Sequence, residues 1–448
     1  MNSGARKQRA ALLFLVAAAV FFLYFFGLTR TGLIGPDEPR YAAIGRAMAA
    51  TGDWVTPRLW GSAWFEKPAL LYWMTAAGFK LGLGAELAPR LPVALASVAF
   101  LIYFFVVLRR EFGEHAAWYA TAILGTSAGW LAYSHIAITD LPMSAAFAAA
   151  MLAIFSPRAG TRSFVAAGVL LGIAVLAKGL VPLVLLIPAL WFLWRRWRDV
   201  LSLFAAAALI ATPWYVLVNL RNPTFVDDFI WKHHFGRFLH SALQHGQPWW
   251  FYVPVLAAGL FPWTPLLAAA FGRPLYRDRR LLFLLAWLVW GFVFFSASRN
   301  KLPGYLLPLL PALAALMGVA LERSSHPRYW LAACGAMFCL APPLVQALPQ
   351  ALENGLSHAR VHLGLASVAA GLALAAMCLV GRPERGVAGL TLFATITVVW
   401  IAWRIYPELD RHLSGRNTPA SITCLPQTNR SQRYSLEYYA GRSLPDCK

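Results

Sequence analysis

The chain has 448 residues, of which 59% are hydrophobic and 13% charged. Soluble globular domains carry about 25% charged residues, so an ordinary soluble protein is excluded. A formal charge of +20 raises nucleic-acid binding as a reading, but the basic residues fall in short loops between apolar stretches, a pattern of membrane orientation.

Apolar stretches run near 11–29, 91–108, 116–134, 141–155, 163–178, 180–194, 200–218, 249–270, 281–298, 304–320, 329–348, 362–380 and 386–405. Most are long enough to cross about 30 Å of hydrocarbon, which predicts an all-α polytopic membrane protein of about thirteen transmembrane helices. The first is read as a retained anchor, because no small-residue cleavage site follows it. Arg6, Lys7 and Arg9 precede it. Arg109, Arg110, Arg158, Arg162, Arg195, Arg196, Arg198, Arg273, Arg277, Arg279, Arg280, Arg323, Arg328, Arg382 and Arg385 recur on that same side. The positive-inside rule then puts the amino terminus in the cytoplasm and the carboxyl terminus outside. The expected organisation is one membrane unit, 1–405, and a small outer tail, 406–448. Most carboxylates lie on the outer side, which orientation does not explain and a polar outer site does.

The first outer loop, about 30–90, opens with Gly35-Pro36-Asp37-Glu38-Pro39-Arg40-Tyr41. Asp37, Arg40, Tyr41 and Ile44 share one helical face. Asp37 suits an N-cap and Pro39 the first turn, a role compatible with a carboxylate held at the floor of a cavity. Further along stand Arg58 and the run Trp64-Phe65-Glu66-Lys67-Pro68, then Tyr72. Glu66-Lys67 reads either as an exposed pair of little energetic value or as a charged edge among interfacial aromatics, with Lys67 meeting a phosphate.

Asp140 borders a membrane segment, where a carboxylate is costly unless it caps, pairs or functions. Lys178 ends its span on the outer side and reads as a snorkelling lysine. In Lys232-His233-His234-Phe235-Gly236-Arg237 the adjacent histidines point to different helical faces and form no metal box alone. A zinc ion shared by Glu66 and His234 is one reading; the main expectation is that no cofactor is required. Arg237 and Lys301 read as anion contacts or as snorkelling side chains. Cys424 and Cys447 lie in the outer tail, where an oxidising compartment favours a disulfide; Cys334, Cys339 and Cys378 lie in apolar stretches and read as small buried hydrophobes.

Taken in order, these segments resemble the GT-C class of lipid-carrier-dependent glycosyltransferases, in particular the 4-amino-4-deoxy-L-arabinose lipid A transferases and the related protein mannosyltransferases. The resemblance rests on residues 35–73, with Gly52-Asp53-Trp54-Val55-Thr56-Pro57-Arg58 and Phe65-Glu66-Lys67-Pro68, and on Ile138-Thr139-Asp140-Leu141-Pro142-Met143, His233-His234-Phe235-Gly236-Arg237-Phe238 and Ser298-Arg299-Asn300-Lys301-Leu302-Pro303-Gly304-Tyr305. Ala69 stands where that family usually has a second proline, and the outer tail is short where the lipid A transferases generally carry a larger domain. The resemblance implies a GT-C bundle with outer amphipathic helices in the bacterial inner membrane and a periplasmic site. It implies transfer of a sugar from undecaprenyl phosphate to lipid A, another envelope glycolipid or a protein, with inversion. Asp37 and Asp140 match that family's important acids, and Lys67, Arg40 and Arg237 match residues that hold the donor phosphate. Glu38, Tyr41, Arg58, Glu66, Tyr72, His233, His234, Lys301 and Tyr305 complete the expected substrate-binding set. A transporter or lipid flippase is the rival; it predicts ionisable residues deep within broken spans, whereas here the charges gather at outer helix ends.

Overall fold

The computed structural model of the chain describes residues 3–229, 247–354, 358–418, 421–425 and 428–447. It is mostly helical, and it packs as two compact units, residues 1–36 with 328–448, and residues 37–327.

In the first unit, helix α1 (Ser3–Tyr24) runs against the helix Pro383–Trp400. The chain after α1 is gripped by the carboxyl-terminal residues. Gly32 N donates to Asp410 Oδ1 at 2.6 Å, Leu33 N donates to Tyr439 Oη at 3.0 Å, and Ser435 Oγ donates to Leu33 O at 2.7 Å. Cys424 and Cys447 are joined in a disulfide with their Cα atoms 4.9 Å apart. Cys334 and Cys378 are buried and Cys339 partly so.

The second unit begins with α2 (Glu38–Thr51), a short hairpin of β1 (Arg58–Leu59) and β2 (Ser62–Ala63), and α3 (Leu70–Lys80). It continues through α4 (Gly84–Phe112), α5 (Glu114–Thr126), α6 (Ala128–Ser134), α7 (Asp140–Ile154), α8 (Thr161–Lys178), α9 (Val181–Leu185), α10 (Ile187–Leu193) and α11 (Trp197–Arg221). The helices Arg279–Ala297 and Leu310–Arg323 follow, with a 3-10 turn at Pro303–Leu309 before the latter. Nearly all of α7 is buried, packed against α4 and α8, which fixes Asp140 in its first turn. Backbones come very close between α8 and α11: a Cβ on Gly168 would lie 2.2 Å from Leu203 O, and one on Gly172 2.8 Å from Ala207 O. Small residues four apart permit this approach in membrane helices, and it sets the height of Lys178 at the end of α8. An apolar cluster of Phe65, Ala69, Val175, Leu176, Trp214, Val218, Phe225 and Phe229 pins the loop after β2 to α8 and α11. Each buried aromatic there is worth about 1.5–3 kcal/mol, enough to hold the adjoining Glu66 in place.

Among the described residues six helices are long and apolar enough to cross a membrane: Gly84–Phe112, Thr161–Lys178, Ile187–Arg221, Arg279–Ala297, Pro303–Arg323 and Pro383–Leu413. The pair Pro327–Met337 and Ala341–Leu352, bent by 42°, makes a seventh if it is one span. The chain is thus a multi-pass membrane protein, with fewer long unbroken spans than its apolar stretches suggest. Short helices and breaks explain the difference: Leu13–Tyr24, Asp140–Ile154 and Leu365–Val380 are apolar but short, and other stretches are interrupted. The stretch 180–194 divides into α9 and α10, each with a proline in its first turn. The stretch 116–134 divides at Ser127, whose ψ of 135° is extended, and 249–270 divides into Tyr252–Gly259 and Leu266–Ala270. Proline removes a donor and obstructs the preceding turn, and neighbouring helices must then satisfy the freed backbone groups.

Candidate active site

Asp37 stands immediately before α2, in the N-cap position, but its backbone is already helical (φ −96°, ψ −45°) and its side chain makes no cap bond. The expected cap does not form because the carboxylate turns to Arg40, which donates to Asp37 Oδ1 from one turn along the same face. The other end of that guanidinium donates to Glu66 Oε2 at 2.7 Å. Arg40 is 2% exposed, Glu66 8% and Asp37 42%. One buried cation therefore bridges a buried carboxylate and an open one. Bonds between ionised groups are short and strong, and the bridge holds the Asp37 carboxylate still while leaving it accessible.

Aromatic rings wall this bridge. The Arg40 guanidinium lies 5.4 Å from the Trp64 ring centroid and 5.8 Å from that of Tyr41, and Tyr41 meets Tyr72 edge-on at 5.8 Å. Both phenols are pushed well above their ordinary pKa. Burial is the main cause, reinforced by the charges of Asp37 and Glu66 for Tyr41, and of Glu66 and then Asp37 for Tyr72. They stay protonated at neutral pH and act as hydroxyl groups. Among the described residues Tyr72 Oη and Trp64 Nε1 are buried without a hydrogen-bond partner, a cost of about 1–3 kcal/mol each unless polar groups of a ligand meet them. Lys67 follows Glu66 and is half-buried.

A second paired carboxylate comes from α7. Asp140 is the first residue of that helix and not its cap, and its Oδ1 accepts from Lys178 Nζ at 2.5 Å. The ammonium also lies 4.8 Å from the Tyr305 ring centroid. The snorkelling expected of Lys178 gives way to this pairing because an ion pair offsets the cost of partial burial. Gly304 leaves room for the carboxylate: a Cβ there would sit 2.6 Å from Asp140 Oδ1 and 2.7 Å from the Tyr133 hydroxyl. The Tyr133 phenol lies within electrostatic reach of Asp140, Tyr305 and Asp37, so the two acidic centres share a neighbourhood.

Other expected residues are placed elsewhere. Arg58 is on the hairpin, donating to Gly61 O at 3.3 Å and lying 4.0 Å from Asp53. Lys301 is buried and donates to Ser298 O at 2.5 Å and Gln247 O at 3.3 Å; it is a loop fastener in this arrangement. Glu38 faces away from Asp37 and binds Arg90. His233, His234 and Arg237 lie outside the described residues. Glu66, the other half of the zinc reading, is engaged by Arg40, and among the described residues no group of three or more His, Cys, Asp or Glu side chains is placed to hold a metal. Arg90 and Lys178 are the charged residues that sequence reasoning left out of the site. The signal for both was a cation at the edge of an apolar helix, which needs a partner.

Comparison with known proteins places the chain among membrane glycosyltransferases. Residues 10–229 match the family model of dolichyl-phosphate-mannose-protein mannosyltransferases. The undecaprenyl phosphate-alpha-4-amino-4-deoxy-L-arabinose arabinosyl transferase of Pseudomonas aeruginosa is 36% identical over 335 residues, covering 70% of this chain and 60% of that protein. The transferase of the same description from Edwardsiella ictaluri is 30% identical over 434 residues, covering 91% of this chain and 74% of the relative. The chain thus spans about 60% of the length of the first curated relatives it matches. A crystal structure of ArnT from Cupriavidus metallidurans bound to undecaprenyl phosphate superposes with a TM-score of 0.76 at 28% identity, covering 98% of this chain and 90% of the other. An oligosaccharyltransferase from Archaeoglobus fulgidus, at 14% identity and a TM-score of 0.56, shares the fold.

Proposed function

This chain belongs to the family of undecaprenyl phosphate-alpha-4-amino-4-deoxy-L-arabinose arabinosyl transferases, and from that premise we propose that it transfers a sugar from undecaprenyl phosphate to an envelope acceptor. The donor sugar is 4-amino-4-deoxy-L-arabinose or a close analogue, and the acceptor is lipid A or a related glycolipid. The observation that carries the reading is the open Asp37 carboxylate, fixed by a buried arginine that a second carboxylate anchors.

In the proposed step an acceptor oxygen forms a bond to the anomeric carbon as the bond from that carbon to the carrier phosphate breaks, with inversion. The departing undecaprenyl phosphate gathers negative charge, and Lys67 and Arg237 stabilise it, as preorganised cations do in a partly dry site. An acceptor hydroxyl would give its proton to Asp37. An acceptor phosphate has little proton to give, and Asp37 then orients the acceptor or the amino group of the sugar. Asp140, with Lys178 and Tyr305, forms the second wall. Tyr41, Tyr72 and Trp64 offer rings and polar atoms to the sugar. Chain groups supply every charge the step requires, so it calls for no cofactor; zinc at Glu66 and His234 would have to compete with Arg40.

The same reading sets the protein in the bacterial inner membrane with its amino terminus cytoplasmic, and its site and carboxyl terminus periplasmic. It keeps the GT-C bundle at about thirteen passages by counting the broken and short apolar helices as crossings. Residues 1–405 then form the membrane part and 406–448 the outer tail.

The test is mass spectrometry of lipid A and other envelope glycolipids from cells with and without the chain. The reading predicts a mass increment of an aminopentose on an envelope glycolipid only where the chain is present. Identical glycolipid spectra in cells shown to make the donor would overturn it.

A further inference from the structure

The Glu38 carboxylate faces the interior. Arg90 Nε donates to its Oε1 at 2.7 Å and Arg90 Nη2 to its Oε2 at 2.8 Å, and both side chains are 2% exposed. Oε1 also accepts from the Ala137 backbone N–H at 2.9 Å. Three elements thus meet on one carboxylate: the start of α2, the part of α4 between Pro89 and Pro92, and the turn 135–139. Asp37 is the residue before Glu38, and Asp140 lies three residues after Ala137. The lengths of these connections make Glu38 a short bonded route between the two acidic centres.

A buried ion pair is poor evidence for stability, because well-packed apolar residues often do as well. Its best-attested use is to fix a registry between elements. A bidentate arginine does this well, since two parallel bonds set angle as well as distance.

Building on the proposed transferase reading, we infer that Glu38 and Arg90 are positioning residues, which set the placement of the Asp37 carboxylate against the Asp140 turn without touching substrate. Displacements near 1 Å cost about 100-fold in rate when reacting groups must be aligned, so the pair governs turnover more than donor binding.

Two variants test this in detergent-purified protein. Glu38→Met/Arg90→Met removes the pair without leaving a lone buried charge. Glu38→Asp keeps the charge but is one methylene too short to serve Arg90 and Ala137 together. Each is followed by hydrogen exchange at residues 135–140, by melting temperature, and by kcat and KM with an undecaprenyl-phosphate-linked aminopentose. The expected result, in whichever variant melts cooperatively, is exchange in the turn at least about tenfold faster, and kcat lower by about 100-fold with KM for the donor within about threefold. Wild-type protection of the turn in a folded variant would overturn the inference, whatever its activity; so would wild-type kcat. If wild-type protein transfers no sugar from this donor, the transferase reading fails, and the exchange measurement still decides the positioning role.

Discussion

Asp37 and Glu38 are sequence neighbours with almost the same chemistry, yet the fold treats them in opposite ways. Asp37 is 42% exposed and shares its arginine with Glu66; Glu38 is 2% exposed and has both oxygens taken up by Arg90. One carboxylate is steadied and kept open, the other is enclosed. The contrast separates a group available for chemistry from a group that sets geometry, although neither composition nor motif distinguishes them.

The sharpest way to break this comparison is to remove the enclosed partner. Arg90→Leu leaves the buried Glu38 without its arginine and is expected to cost about 3–5 kcal/mol of stability, read as a large drop in melting temperature in detergent; an unchanged melting temperature would mean that Glu38 is not truly enclosed. Next in size is Lys178→Met, which strips the lysine from Asp140 in a mostly buried setting. A loss of about 2 kcal/mol is expected, together with lower turnover, by thermal melting and transfer assay. Gly304→Ala tests the same carboxylate by crowding, since the new methyl meets Asp140 Oδ1. It is expected to cost about 1–3 kcal/mol and to lower turnover, because the Asp140–Lys178 pair must shift.

Tyr72→Phe should have the smallest effect on stability, a gain of about 1 kcal/mol, because its hydroxyl has no partner among the described residues and removing an unmet buried polar group relieves its desolvation cost. It also carries a pH signature. The folded pKa of Tyr72 is raised by burial, so its contribution to stability is fully present below the unfolded value near 10 and is lost as pH rises above it. Alkaline melting curves of Tyr72→Phe should therefore fall less steeply above pH 10 than those of the parent.

Much of this site was legible in the sequence because charge is scarce in an apolar chain. Asp37 and Asp140 stood out as carboxylates beside apolar stretches and Glu66 as half of a charged pair among aromatics, and the structure brings Asp37 and Glu66 onto one arginine. Pairing was not legible. Periodicity placed Arg40 on the face of Asp37 but said nothing of Glu66, which arrives from 26 residues away. Arg90 falls just before the apolar stretch at 91–108, and Lys178 has the look of a lysine reaching for water. Both are long-range partners, visible only when helices are packed. The helix breaks at α9, α10 and Ser127 were hidden for a similar reason: hydropathy measures whether a stretch can cross a membrane, not whether its backbone stays continuous.

The most direct test is transfer by purified Asp37→Asn beside wild type in proteoliposomes supplied with an undecaprenyl-phosphate-linked aminopentose and lipid A. Loss of transfer by about 10³-fold with an unchanged melting temperature is the predicted result. Transfer at the wild-type rate by the folded variant would contradict the role given to the open carboxylate.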